Sequence, residues 1–177
     1  MIETKTLAID DLLERNGITK EHFMTETYKC MLVSIFETIA LEMNDADIRK
    51  EIKQRYLNSA NKIITTQRIV YEKTRCKLNN EESEIICKYL YAFFKKNSVR
   101  KNYDNSIRYR LLNQQNEKCN ICSQHINNST AELDHIIPWS LVGDELGISN
   151  LQMLCRDCNR RKSKNAAYNL KMFLVNR

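Results

Sequence analysis

Three glycines and a single proline are all the chain breakers in 177 residues. An all-β sandwich needs a turn every several residues, so this scarcity argues against one and favours long helices. No stretch is long and apolar enough to span a bilayer, and the N-terminal MIETKTLAIDD lacks the basic-then-apolar pattern of a signal region. The expectation is a cytoplasmic protein with no membrane association. With 42% hydrophobic and 28% charged residues the composition is ordinary for a globular protein. The length suffices for one full domain or two small ones, with a core that needs no disulfide staples.

The surplus of positive charge is modest, +6, and leans mildly toward anionic partners such as nucleic acid. It is unevenly spread. Residues 1–97 hold 16 Lys/Arg against 15 Asp/Glu, whereas residues 98–177 hold 12 against 7. Seven cysteines in a reducing compartment read as metal ligands and buried thiols rather than disulfides. Cys30, Cys76 and Cys87 fall in helical patterns as small buried hydrophobes. The other four lie in the basic half.

Helical periodicity dominates the first 97 residues. Residues 6–16 predict a short helix ending at Asn16-Gly17, and Thr19 caps a second that runs to about Met43. Met24, Tyr28, Met31, Ile35 and Ile39 form one apolar stripe on it, read as core packing. Asn44 and Asp45 break that helix and cap the next, whose pattern through Ile48, Ile52, Tyr56, Ala60 and Ile63 runs on to about Leu78. Asn79 with Glu82 resembles a capping box, opening a helix with Ile86, Leu90 and Phe93 on one side. The expected fold class is α+β and predominantly helical: a helical bundle over 1–97, then a second domain over 98–177. SVRKNYDNS, residues 98–106, reads as the linker, leading into the basic helix IRYRLLNQQNEK.

Cys119-Asn-Ile-Cys122 and Cys155-Arg-Asp-Cys158 make a CxxC…CxxC set with 32 residues between the pairs. Two residues between thiolates let both sulfurs of a tight turn reach one ion, and two such turns complete the tetrahedron that Zn²⁺ favours. Four protein ligands leave no open position, so this zinc is expected to be structural and to carry much of the folding energy of its half. A redox CxxC lacks the strand-to-helix context it requires here. His125 is close enough in sequence to substitute as a ligand but reads as solvent-facing.

Between the pairs lie a strand-like segment, Glu132 to Ile137, ended by Pro138; a loop with Gly143 and Gly147; and a second strand-like run, ISNLQMLC. A helix, NRRKSKNAAYNLKMF, follows Cys158. LDHIIP, then SNLQMLC, then CNRRKS resemble the HNH nuclease family, and the resemblance spans roughly residues 105–170. It implies a ββα-metal fold stabilised by paired zinc knuckles. It also implies roles: His135 as the general base, Asp134 as the neighbouring metal ligand of the DH-type members, Asn150 as the residue that braces the loop and orients the base, and Asn159 as the final metal ligand. This is a DH…N…N variant whose oxygen ligands suit Mg²⁺ or Mn²⁺ better than a second Zn²⁺. Trp139 and Pro138 read as structural.

The chemistry holds together in its own terms. Phosphodiester hydrolysis needs a deprotonated water in line with the scissile bond, and positive charge on the developing oxygens. A neutral imidazole is a competent base near neutral pH. Asn159 is expected in the first turn of the last helix, whose N-terminus would face the phosphate. Arg160, Arg161 and Lys162 follow as nucleic-acid contacts, although charges on a helix are often a solvated face. One geometric question stays open: adjacent residues on a regular strand point to opposite faces, so Asp134 and His135 cannot both face one site from an ideal strand. Either the pair sits at a bend, or the phosphate lies between them.

The leading expectation is therefore a metal-dependent endonuclease acting on DNA, with RNA not excluded. A second is a zinc module that binds nucleic acid without cutting it. A third, compatible with the first, is a subunit whose residues 1–97 mediate a homodimer or dock onto a protein partner, as in a restriction, phage-defence or mobile-element system.

Overall fold

Five helices occupy residues 5–95 of the computed structural model, which describes residues 5–163: α1 (Lys5–Arg15), α2 (Lys20–Glu42), α3 (Ala46–Asn58), α4 (Lys62–Thr74) and α5 (Asn80–Lys95). Their starts follow the capping residues visible in the sequence. Thr19 accepts from His22 N–H, Asp45 from Asp47 and Ile48 N–H, and Asn79 with Glu82 forms a complete reciprocal capping box.

Two expectations change here. The pattern that ran from Asp45 to about Leu78 as one helix is two helices, α3 and α4, broken at Ser59–Asn61. Local polar groups outcompete the helical ladder at that point. Ser59 Oγ donates to Asn61 O, Asn61 caps α4 through Ile64 N–H, and Lys62 Nζ satisfies the carbonyls of Leu57 and Ser59. The stripe on α2 is likewise not all core. Met24, Tyr28 and Met31 are exposed, whereas Leu32, Val33, Phe36, Ile39 and Ala40 are buried. The start of α2 packs through Phe23 on a small cluster of Leu13 and Ile18, while Phe36, Ile39 and Ala40 further along lie in the core shared with α4 and α5.

The second half opens with α6 (Asn105–Gln114), capped by Asp104, then the first cysteine turn. β1 (Ala131–His135) follows, then a one-turn helix α7 (Trp139–Val142) and a 3₁₀ turn (Gly147–Asn150). β2 (Leu151–Cys155) runs directly into α8 (Arg156–Lys162). The strands pair antiparallel with Ala131 opposite Cys155, Asp134 opposite Gln152 and His135 opposite Leu151. All five β2 residues are buried, and its second edge is satisfied by a side chain. The Gln115 amide accepts from Met153 N–H and donates to Met153 O, both at 2.8 Å. Residues 164–173, where the last helical pattern continued, lie outside the described residues. No helix among the described residues is long and apolar enough to cross a membrane.

The loop after β1 is built into the bundle. Ile137 and Val142 are fully buried in the same cluster as Phe36, Ile39, Ile69, Ile86 and Leu90, with Leu141 and Leu146 packed against it. Lys96 donates to Ser140 O and lies over the Trp139 ring. Gly143, at φ 59°, sits where a Cβ would come within 3.0 Å of the Lys96 stem, so both conformation and space call for glycine there.

Candidate metal centre and nuclease site

The four cysteines predicted as ligands converge. Cys119, Cys122, Cys155 and Cys158 have their sulfurs within 4.8 Å of one another, and Cys122 and Cys155 sulfurs are 3.8 Å apart. Four sulfurs placed about 2.3 Å from one tetrahedral zinc would be about 3.8 Å apart, so the cluster fits that ion. The first turn is shaped by Cys119 N–H to Gln124 O and Ser123 N–H to Cys119 O, with Ser123 in the left-handed region. The second is the β2–α8 junction itself, where Cys155 caps the helix by accepting from Cys158 N–H. Burial, joined by the charge of Cys119, pushes the Cys158 thiol far above its ordinary range. Held as thiolates this close together, the four would need a cation among them, which a bound zinc would supply. His125 is exposed and meets Glu117 at 3.2 Å, away from the sulfurs' set.

Asp134 and His135 lie in one uninterrupted ladder, and their side chains go opposite ways. Asp134 faces α8: its Oδ2 accepts from Gln152 Nε2 at 2.8 Å and lies 3.0 Å from the Lys162 ammonium. His135 turns to the other side, 4% exposed, with Nε2 2.9 Å from Asp144 Oδ1 and its ring beside Tyr103. The bend that would bring both side chains to one face is absent.

Asn150 clasps the chain just past His135. Its Oδ1 accepts from Ile137 N–H, its Nδ2 donates to Ile137 O, and its carbonyl accepts from Ile136 N–H. Asn159, the fourth residue of α8, reaches the Asp134 side of the sheet but donates to Glu132 Oε2 at 2.7 Å. Glu132 stands two residues before Asp134 and so shares its face. The Asn159 hydrogen bond is the chief reason its carboxyl is held below the ordinary range. Arg160 and Arg161 are exposed on α8. Lys162 departs from the solvated or phosphate-facing position expected of it. It is 1% exposed, and its ammonium donates to His135 O at 2.7 Å while facing Asp134. Two oxygens in reach make the buried charge tolerable.

Sequence reasoning missed four of these partners. Glu132 was legible from the period of a strand, two positions from Asp134. Gln152 was legible only once the register was known. The inward turn of Lys162 and the pairing of His135 with Asp144, nine positions further on, leave no local pattern.

Asp144 is the best-connected of the four. Its Oδ1 accepts from Tyr103 Oη at 2.8 Å and lies 2.9 Å from His135 Nε2, and its Oδ2 accepts from Lys101 N–H at 2.8 Å and Trp139 Nε1 at 2.9 Å. Burial alone would raise this carboxyl, but the four hydrogen bonds, that of the Lys101 amide foremost, hold it well below the carboxylate range. Tyr103 is in turn pushed up to about 12 by burial and by its bond to Asp144.

Residues 119–165, which contain all four cysteines and every residue just described around β1 and α8 except Tyr103 and Lys101, match the family model described as HNH endonuclease. The chain carries an HNH domain. No curated protein and no solved structure matches the chain. The order of the HNH domain here is cysteine turn, β1, buried loop, β2, cysteine turn and α8, with the sulfur cluster joining its two ends. An HNH domain points to a nuclease or nucleic-acid-binding role, and its cluster of four cysteines could hold a metal ion.

Proposed function

We propose that the protein is a metal-dependent endonuclease that hydrolyses phosphodiester bonds of DNA. The observation that carries this reading is the HNH match over residues 119–165, which includes both cysteine pairs. It is supported by Asp134 and Asn159 reaching the same side of the sheet, where they bond Gln152 and Glu132. In it, Cys119, Cys122, Cys155 and Cys158 hold a structural Zn²⁺, and Asp134 and Asn159 supply hard oxygens for Mg²⁺ or Mn²⁺, with Glu132 as a neighbour. When bound, such an ion supplies positive charge to the phosphate oxygens and to the leaving 3′ oxygen.

The side chains do the rest. His135, the last residue of β1, takes the proton of the attacking water as its oxygen bonds to phosphorus and the P–O3′ bond breaks. The phosphate lies across the strand end, approached by Asp134 from one side and His135 from the other. Asn150 holds the chain at Ile136 and Ile137 so that the strand end stays fixed. Arg160 and Arg161, exposed on α8, meet backbone phosphates. Residues 1–97 form the helical unit that would serve a homodimer or a protein partner.

The burial of His135 on the Asp144 side favours one second reading, a zinc-stabilised module that binds nucleic acid and in which His135 is purely structural. Plasmid nicking with Mg²⁺ or Mn²⁺ separates the two. Metal-stimulated cutting that disappears in His135→Ala is expected. A wild type inert with every divalent ion and every nucleic acid tried, yet still binding, establishes the second reading instead.

A further inference from the structure

We infer that Asp144 is the positioning residue of the nuclease site, fixing both the orientation and the tautomer of His135; the inference rests on the endonuclease reading above. Both oxygens of Asp144 are already committed as acceptors. Tyr103 Oη shares Oδ1 with His135, and the Lys101 amide and the Trp139 indole, which has no acceptor capacity, bind Oδ2. A carboxylate held by four contacts at 2.8–2.9 Å can only accept. The hydrogen on the fourth contact must therefore belong to His135 Nε2. A neutral imidazole has one N–H, so Nδ1 is left with the lone pair, which is the group a general base presents to water.

The anchoring is as informative as the tautomer. Asp144 draws its donors from three separate places: the linker at Lys101 and Tyr103, the α7 helix at Trp139, and the end of β1 at His135. Residues on either side of it are fixed in turn: before it Val142 is buried in the bundle core and Gly143 packs against Lys96, and after it Leu146 packs against that core. The carboxylate is held by the scaffold, and the scaffold through it holds the ring. Nothing in zinc binding or strand pairing requires a carboxylate at this place. An Asp–His pair buried at the end of the strand that carries the base is the arrangement by which a third group orients a base in nucleophilic and hydrolytic sites generally.

The test uses the whole 177-residue chain loaded with zinc. Long-range ¹H–¹⁵N spectra of its imidazoles, with His22 and His125 distinguished by substitution, report which nitrogen of His135 is protonated. The expected wild-type state has the proton on Nε2. In Asp144→Asn the amide can donate to Nε2, and the proton is expected to move to Nδ1. The kcat for plasmid nicking is then expected to fall by about 10²–10⁴-fold, the upper figure being the loss seen when the Asp of a Ser-His-Asp triad becomes Asn. KM for DNA is expected to stay within about twofold, because no DNA contact is removed. Asp144→Glu, which keeps an acceptor, is expected to restore the Nε2 tautomer and part of the rate. A wild-type proton on Nδ1, or Asp144→Asn cutting within about threefold of wild type, overturns the inference. If Asp144→Asn fails to fold, the wild-type spectrum alone decides. A wild type that never cuts, or a His135→Ala that cuts normally, removes the endonuclease reading and this inference with it. Full activity in Asp144→Asn beside a dead His135→Ala removes this inference alone.

Discussion

His135 Nε2 and Asp144 Oδ1 meet at 2.9 Å with both side chains at or below 5% exposure. The pair joins the end of β1 to a loop whose neighbours are packed in the helical bundle, so its energetics belong to both halves of the chain. The folded protein holds the Asp144 carboxyl below its ordinary range, whereas the unfolded chain has a value of about 3.9. The folded state therefore binds this proton less readily, and Asp144 stabilises the fold at every pH above about 3.9. That contribution is lost as the pH falls through about 3.9 toward the lower folded value. Urea denaturation of wild type and Asp144→Asn between about pH 3 and 5 is expected to show a stability gap that narrows as the pH falls below about 4. A gap that widens in acid contradicts the assignment.

The cysteine cluster is expected to bind one zinc per chain, measurable by elemental analysis of the purified protein. Cys158→Ser removes a ligand from a buried set and leaves the remaining three too crowded to be charged without a full complement. Because zinc binding in such sites is folding free energy, about 10–16 kcal/mol for small zinc modules, the variant should lose the metal and the order of residues 119–163 together. Limited trypsin digestion should then cut first after Lys118, Arg156 or Arg160. A zinc-free variant as resistant as wild type would show that the cluster is only a group of thiols.

Ile137 stands two residues beyond His135 yet is 2% exposed in the bundle core. Ile137→Ala should cost about 2–5 kcal/mol by deleting buried methyl groups and leaving a cavity among α2, α4 and α5. Calorimetry should show one cooperative transition shifted down as a unit. If the bundle melts unchanged while only the zinc half is lost, the shared core does not couple the two.

How much of this was legible follows the range of the interactions. Thr19, Asp45 and Asn79 announce helix starts because a cap is a contact over two or three residues. The two CxxC pairs announce a metal cluster because ligand spacing within each turn is local, and the DH and Asn positions lie in short motifs. The break at Ser59–Asn61 was hidden because Ile48, Ile52, Tyr56 and Ile63 keep a helical period through it, while side-chain bonds from Ser59, Asn61 and Lys62 end the ladder. Met24 and Met31 misled in the opposite sense. Periodicity reports an apolar face, and whether a neighbour covers it depends on how far α4 and α5 extend. The opposite directions of Asp134 and His135 were implied by strand geometry from the start. That His135 would find a carboxylate and Lys162 a carbonyl were outcomes of tertiary packing alone.

Lys162 offers the sharpest test of where a divalent ion belongs. Its ammonium is buried beside the Asp134 carboxylate and the His135 carbonyl, so it is the positive charge that Asp134 faces in the protein described here. Lys162→Met keeps most of the stem's volume and removes the charge. Breaking a buried pair from one side typically costs about 3–5 kcal/mol because the remaining charge is left uncompensated. For a protein of this size that corresponds to a melting temperature lower by roughly 6–20 °C. If Asp134 is also a ligand for Mg²⁺ or Mn²⁺, an added ion replaces the missing charge. Millimolar Mg²⁺ should then raise the melting temperature of Lys162→Met more than that of wild type, since binding to the folded state alone stabilises it by mass action. Adding Asp134→Asn should abolish the difference, because no carboxylate remains for either cation. Equal Mg²⁺ shifts in wild type and Lys162→Met would mean that the ion binds away from Asp134, and the ligand set proposed for it would have to be redrawn around Glu132 and Asn159.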